Sequence, residues 1–154
     1  MKLIGNFKTF EDNNINYKLE IIKGDDTESK NITFGPTPFV VNYNGNQMFE
    51  PMITSTASID IVSDEYYEDI LPSAAQETKV VLYRKDKVHW MGYLKADIYS
   101  QGYEDCYENI TFNASDCISS LQYMQYKPVG SEKSVQTFGD ILRNLMTIAG
   151  LSKL

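Results

Sequence analysis

A chain with one histidine, His89, and two cysteines, Cys106 and Cys117, among 154 residues has little from which to build a reactive centre. One imidazole leaves no zinc-ligand set, and two thiols are too few for a disulfide scaffold. Any Ser-His-Asp or Cys-His arrangement has to use His89, which lies in an alternating run and reads as an ordinary cross-strand residue of a hairpin. Neither cysteine stands at a helix N-terminus beside a basic cluster. Cys117 follows Asp116, and an acid raises a thiol pKa, so both cysteines read as small apolar residues. No Gly-rich phosphate loop occurs, because Gly35-Pro36 is a turn and Gly45 stands alone. No catalytic residue, metal or cofactor is expected.

Long apolar runs are missing as well. The first ten residues, MKLIGNFKTF, hold no signal-peptide core, and nowhere do 18 apolar residues follow one another, so a cytoplasmic, non-membrane protein is expected. Positive charge is scarce: 14 basic against 21 acidic residues give a net charge of −7, and the Lys and Arg are not clustered. Nucleic acid is therefore no partner, since phosphate binding needs grouped cations. The acids are not organised for chemistry either. Asp64-Glu65-Tyr66-Tyr67-Glu68-Asp69 lacks the glycine and the alternate-residue spacing of a calcium loop, and a glycosidase pair needs carboxyls from separate elements facing a cleft. That run reads as the solvated start of a helical turn, and Glu104, Asp105 and Glu108 read as solvated in the same way. No small-molecule substrate is expected.

Aromatic residues are abundant, with eleven Tyr and seven Phe, a composition that suits half-buried strands or interfaces. The length allows one core. The chain is organised around Lys79 to Tyr99, read as a β-hairpin: Val80 and Leu82 line one arm, Val88, Trp90, Gly92 and Leu94 the other, and Arg84-Lys85-Asp86-Lys87 is the turn. A buried Trp removes on the order of 200 Å² from water. Trp90 is therefore the expected anchor of a core with Ile59, Ile61, Leu82 and Phe112, while Gly92 lets a ring or backbone approach closely. Asp97, in the extended exit of the hairpin, is placed to fix a sharp turn by accepting backbone N–H groups.

Around this centre, Lys2–Thr9 and Asn16–Lys23 read as an opening hairpin. A short strand from Asn31 to Phe34 is broken by Gly35-Pro36-Thr37-Pro38, and Phe39, Val41 and Tyr43 form the next strand face. Residues 53–62 alternate as a strand buried on one face. Tyr66, Ile70 and Leu71 mark a helical turn or two closed by Pro72, and Asn109 to Ala114 is a strand that runs into Asp116, the cap of a short helix through Leu121. Residues 127–134 form a linker. Beyond it Phe138, Ile141, Leu142, Leu145 and Ile148 recur at helical spacing, with Ser134 or Thr137 as cap and Gly150 past the end. Met146, Leu151 and Leu154 widen that stripe beyond what one packed face needs. The five with Met146 and Leu151 make seven interface candidates; the alternative is a helix that closes the bottom of its own barrel. The fold class expected is mainly β: a small antiparallel β-barrel or sandwich over residues 1–126, with short helices and a C-terminal amphipathic helix in 135–154.

Four strings in fixed order carry a resemblance. They are Pro38-Phe39, the Ser-x-Ala-Ser-Ile-Asp-Ile run from Ser55 to Ile61, the Trp-x-Gly-Tyr-Leu-x-x-Asp-x-Tyr run from Trp90 to Tyr99, and the Asn-Ile-Thr-Phe-x-Ala-x-Asp-x-x-x-x-Leu run from Asn109 to Leu121. Their arrangement resembles tail hub and baseplate structural proteins of tailed phages and prophages, those of gut Bacteroidetes phages in particular, over residues 36 to 150. The resemblance implies a hub-type β-barrel without catalytic residues. It further implies a ring of copies that links the tail tube to tip proteins in the virion tail, assembled in the host bacterial cytoplasm. Proteins of that family run on past the equivalent of the last helix, so 135–154 is expected to start a continuation or a docking segment. A second reading is a carbohydrate-binding β-sandwich that uses Trp90 with Tyr93 or Tyr103 as stacking platforms. A hub strand hides Trp90, whereas a sugar-binding face exposes it.

Overall fold

Period-two alternation dominates the backbone. The computed structural model describes residues 1–8, 15–24, 28–45, 53–96, 107–126 and 137–151, of which 56% lie in strands and 18% in helices. In chain order the strands are β1 (Lys2–Lys8), β2 (Asn16–Lys23), β3 (Ser29–Asn31), β4 (Thr33–Asn44), β5 (Thr54–Ser63), β6 (Thr78–Arg84), β7 (Lys87–Leu94) and β8 (Glu108–Asp116). The helices are α1 (Cys117–Ser120), which runs on as a 3-10 turn through Tyr123, and α2 (Phe138–Ile148). Another 3-10 turn, Glu68–Ile70, is the expected helical turn before Pro72.

All eight strands join one sheet in the order β3-β1-β2-β6-β7-β8-β5-β4. Every pairing is antiparallel except β1 with β3. The expected barrel or sandwich thus appears as a single sheet with an open ladder. Its two edge strands are separated in the chain by Ile32 alone, which brings the edges together: Ile32 N donates to Ile4 O at 2.9 Å, and the Phe34 ring meets Phe7 edge-on at 5.1 Å. Gly5 permits the approach, since a Cβ there would run into the Phe34 ring and Ile32.

The core lies on the inner side, where Leu3, Leu19, Ile59, Ile61 and Phe112 lose nearly all contact with solvent. Cross-strand pairs tie it together, Leu19 with Leu82, Leu82 with Trp90, and Ile59 with Phe112. A smaller cluster sits on the outer side of β6 and β7, where Val81, Met91 and Tyr93 meet Cys117 and Ala149.

Two departures from plain alternation matter. In the central hairpin the turn is Lys85-Asp86, both at positive φ (50° and 63°), the two-residue geometry that matches strand twist. The register moves between Leu82–Trp90 and Tyr83–Val88, so His89 is an extra, bulged residue rather than a cross-strand partner, and Val88 turns out to solvent instead of joining the core. In β4, residues 35–38 face Asp60 alone between the pairs Phe34–Ile61 and Phe39–Ile59. The Gly-Pro-Thr-Pro segment therefore makes a bulge inside one strand, the place where prolines are tolerated. The linker 127–134 and Asp97 lie outside the described residues. Of the two caps the spacing allowed for α2, Thr137 is the one used, and the helix starts at Phe138.

Two measurements check these local devices. An L-residue in the left-handed region costs about 1–2 kcal/mol, so Asp86→Gly is expected to stabilise the fold by roughly 0.5–1 kcal/mol after the greater freedom of the unfolded glycine is counted. Urea unfolding should show a higher midpoint at unchanged slope. The loop before β6 is tied by Glu77, whose Oε2 accepts from Ser73 N (2.6 Å), Ser73 Oγ (2.9 Å) and Ala74 N (3.1 Å). These bonds hold its carboxyl down at about 2. A depressed carboxylate stabilises above its unfolded pKa and loses that contribution as pH falls through the folded value. Melting temperature should drop between about pH 4.5 and 2, and Glu77→Gln should flatten that part of the profile.

Candidate functional site

Trp90 is 8% exposed, and its ring packs edge-on against Phe39 at 5.5 Å. Its Nε1 donates to Ser55 Oγ at 3.0 Å, and Ser55 donates both its hydroxyl (2.9 Å) and its backbone N–H to Asp116 Oδ2. The other carboxylate oxygen, Oδ1, accepts from Ser119 N at 2.6 Å and caps α1. One acid thus closes a helix end and ties β5 to β8. Gly92 lies opposite Asp116 in register, and a Cβ there would strike Ser115 O and the Trp90 ring, so both a backbone and a ring come close. Ile59, Ile61, Leu82 and Phe112 lie in the same core as Trp90. Ser55 escaped the reading of the sequence, although a small hydroxyl on the buried side of an alternating strand marks a position that must find a partner.

The reactive side chains do not converge. His89 is exposed, with its ring 6.3 Å from Tyr17. Cys117 directly follows the cap Asp116, as expected, and is the first residue of α1. It is buried with Sγ 3.5 Å from Met91 O, and burial pushes its thiol up to about 11, where it is not a nucleophile. Glu65 of the acidic run pairs with Lys30 at 2.9 Å. Glu20 is a buried carboxylate: burial pushes its pKa up, and the ammonium groups of Lys18 (2.6 Å) and Lys2 (3.2 Å) outweigh that and hold it below the ordinary value. A cavity of about 330 Å³ lies between the Ser73–Gln76 loop, Tyr93 and Tyr123, and among the described residues no carboxylate, imidazole or thiol lines it. Among the described residues no three His, Cys, Asp or Glu come together as metal ligands, and no helix is long and apolar enough to cross a membrane. Tyr99, Tyr103 and Cys106 lie outside the described residues.

What the surface does offer is α2. Thr137 caps it by accepting from Asp140 N at 3.2 Å. Its far end is seated: Ala149 is fully buried on the β6–β7 cluster, Tyr93 OH donates to Ala149 O at 3.4 Å, and Gly150 at φ +77° lies against Tyr93. Leu151 is half-buried against that cluster, and Ile141, Leu145 and Ile148 are half-buried as well. Exposure then grows toward the N-terminus, from 42% at Met146 to 48% at Leu142 and 81% at Phe138. The seven interface candidates therefore divide into four half-buried residues, of which Leu151 packs on that cluster, and three exposed ones.

Fold and surface together define a mainly β domain that presents an apolar helix face and no assembled catalytic group among the described residues. Comparison with family models, curated proteins and solved structures finds no match to this chain.

Removing the carboxylate of Asp116 takes away a helix cap and leaves the Ser55 groups without their acceptor. Asp116→Ala should cost about 2–4 kcal/mol, a cap and a buried hydrogen bond combined. Trp90→Ala should cost roughly 3–5 kcal/mol. Chemical unfolding measures both, and losses under about 1 kcal/mol would show that the network carries no stability.

Proposed function

We propose that the protein is a structural subunit of a phage-type tail hub or baseplate, which assembles with copies of itself into a ring and joins the tail tube to tip proteins in the virion tail. The observation that carries this reading is the apolar stripe of α2, left open on a protein whose polar surface is otherwise well supplied with charge. An exposed stripe of this kind marks a contact surface. The hub reading calls for a closed barrel; the sheet is open, and support for that reading comes from its two edge strands being separated in the chain by Ile32 alone. The four strings that carry the resemblance add support. They fall in β4, β5, β7 and the β8–α1 segment, which are neighbours in the sheet, and Phe39, Ser55, Trp90 and Asp116 from the four strings form one connected network. Against the carbohydrate-binding alternative stands the burial of Trp90 and Tyr93, while Tyr103 lies outside the described residues.

The test is the particle mass in solution, followed by antibody labelling of tails on intact phage. A closed oligomer whose mass falls when Leu142 and Met146 are changed to Ser, with the melting temperature kept, is the expected result. A protein that stays monomeric at all concentrations and labels no part of the tail overturns the reading.

A further inference from the structure

The end of β4 holds a pair of residues that can react with each other. Asn44 is the last residue of the strand, paired with Thr54, and Gly45 follows it outside the ladder. No other Asn-Gly pair occurs in the sequence. Both residues are exposed, and among the described residues no hydrogen bond holds the Asn44 side chain or the Gly45 N–H. The side-chain carbonyl carbon of an asparagine and the backbone nitrogen of the next residue lie close enough along the chain to close a ring. A side chain on that next residue shields the nitrogen and restricts its backbone, and glycine has none.

The other described asparagines lack this combination. They lie in strands or in α2, and the residue after each is Phe, Tyr, Ile, Ala or Leu. Asn31 gives the clearest contrast, since it too is exposed at the end of a strand. The nitrogen after it belongs to the β-branched Ile32 and is engaged, donating to Ile4 O at 2.9 Å. Backbone strain does not call for the glycine at 45 either, because the described glycines at positive φ are Gly24 and Gly150. Asn44 also shares the lining of a cavity of about 370 Å³ with Thr54, Thr56, Lys95 and Gln122. A carboxylate at 44 would share that space with a cation.

We propose that Asn44 and Gly45 form a self-modifying site in the folded protein. The Gly45 nitrogen gives up its proton to solvent and attacks Cγ of Asn44. The bond from Cγ to the side-chain nitrogen breaks, ammonia leaves, and a succinimide ring stands in the backbone. Water then adds to one of the two ring carbonyls. Addition at Cγ breaks its bond to the Gly45 nitrogen and yields aspartate; addition at the backbone carbonyl breaks the original peptide bond and yields isoaspartate, with the chain now running through Cγ. Either product carries the net charge of −7 one unit further. Isoaspartate also lengthens the backbone by a methylene at the Asn44–Thr54 rung, the last of β4 with β5. The change needs water and no partner.

The experiment incubates the purified full chain at neutral and at mildly alkaline pH, both folded and in urea, and follows each asparagine by peptide mass mapping. The folded protein should gain one mass unit at residue 44 before any other asparagine changes. The rate should rise with pH, because the attacking nitrogen must lose its proton. Two isomeric peptides should separate on chromatography, one of them matching the peptide of the Asn44→Asp variant and the other being isoaspartate. Gly45→Ala should keep the melting temperature and lose both products over the same period; should it melt early, Asn44→Gln replaces it with the same expected loss. A folded chain whose Asn44 stays intact while the chain in urea converts overturns the inference, because the fold then blocks ring closure. So does a chain that converts in neither state, a Gly45→Ala variant that converts as fast as the wild type, or a change that comes first at another asparagine.

Discussion

The structure depends on one buried polar chain, Trp90 to Ser55 to Asp116. An indole N–H and a carboxylate are each costly to leave without a partner inside an apolar core. Here a single serine on β5 serves both, donating to Asp116 and accepting from Trp90. The same acid caps α1, so the position where β8 becomes helix is set by the network that holds β5 in register. Gly92 is a condition of this arrangement: with any larger residue the Trp90 ring and the Ser115 carbonyl would be forced apart and β7 could not lie against β8.

The hairpin bulge serves the same end. Adding His89 to β7 lets Trp90 oppose Leu82 on the inner side while the strand still closes through a two-residue turn. On the outer side, burying Val81, Met91 and Tyr93 needs a cover, which α1 and the end of α2 provide. The cover is partial by geometry. Ala149 is small enough to let the helix terminus sit against Tyr93, and the stripe beyond it has no described surface of its own chain to rest on.

Hydrophobic patterning made the hairpins, the inward faces of β5 and β8, the cap at Asp116 and the amphipathic stripe of α2 legible, because each is a local regularity of two or three and a half residues. Neither Ser55 as the partner of Trp90 nor His89 as a bulge shows in that pattern. A serine's hydrogen-bond partner sixty-one residues away and a one-residue slip between strands both depend on which strands meet, and a local period carries no such information. For the same reason Gly35 to Pro38 reads as a break in sequence and becomes a bulge once β5 supplies the neighbouring ladder.

By itself the sequence determined that this is a β-rich chain with one core centred on Trp90, that its reactive side chains are few and scattered, and that its last helix carries more apolar surface than one face needs. Those properties follow from composition and spacing. Only the tertiary structure decided that the strands form one sheet whose edges meet at Ile32, and that β4 is its long edge. It also decided that, among the described residues, α2 is seated by its C-terminal end. Strand order, edge exposure and the seating of a helix arise from contacts between segments far apart in the chain, where packing and hydrogen-bond satisfaction outweigh any local preference.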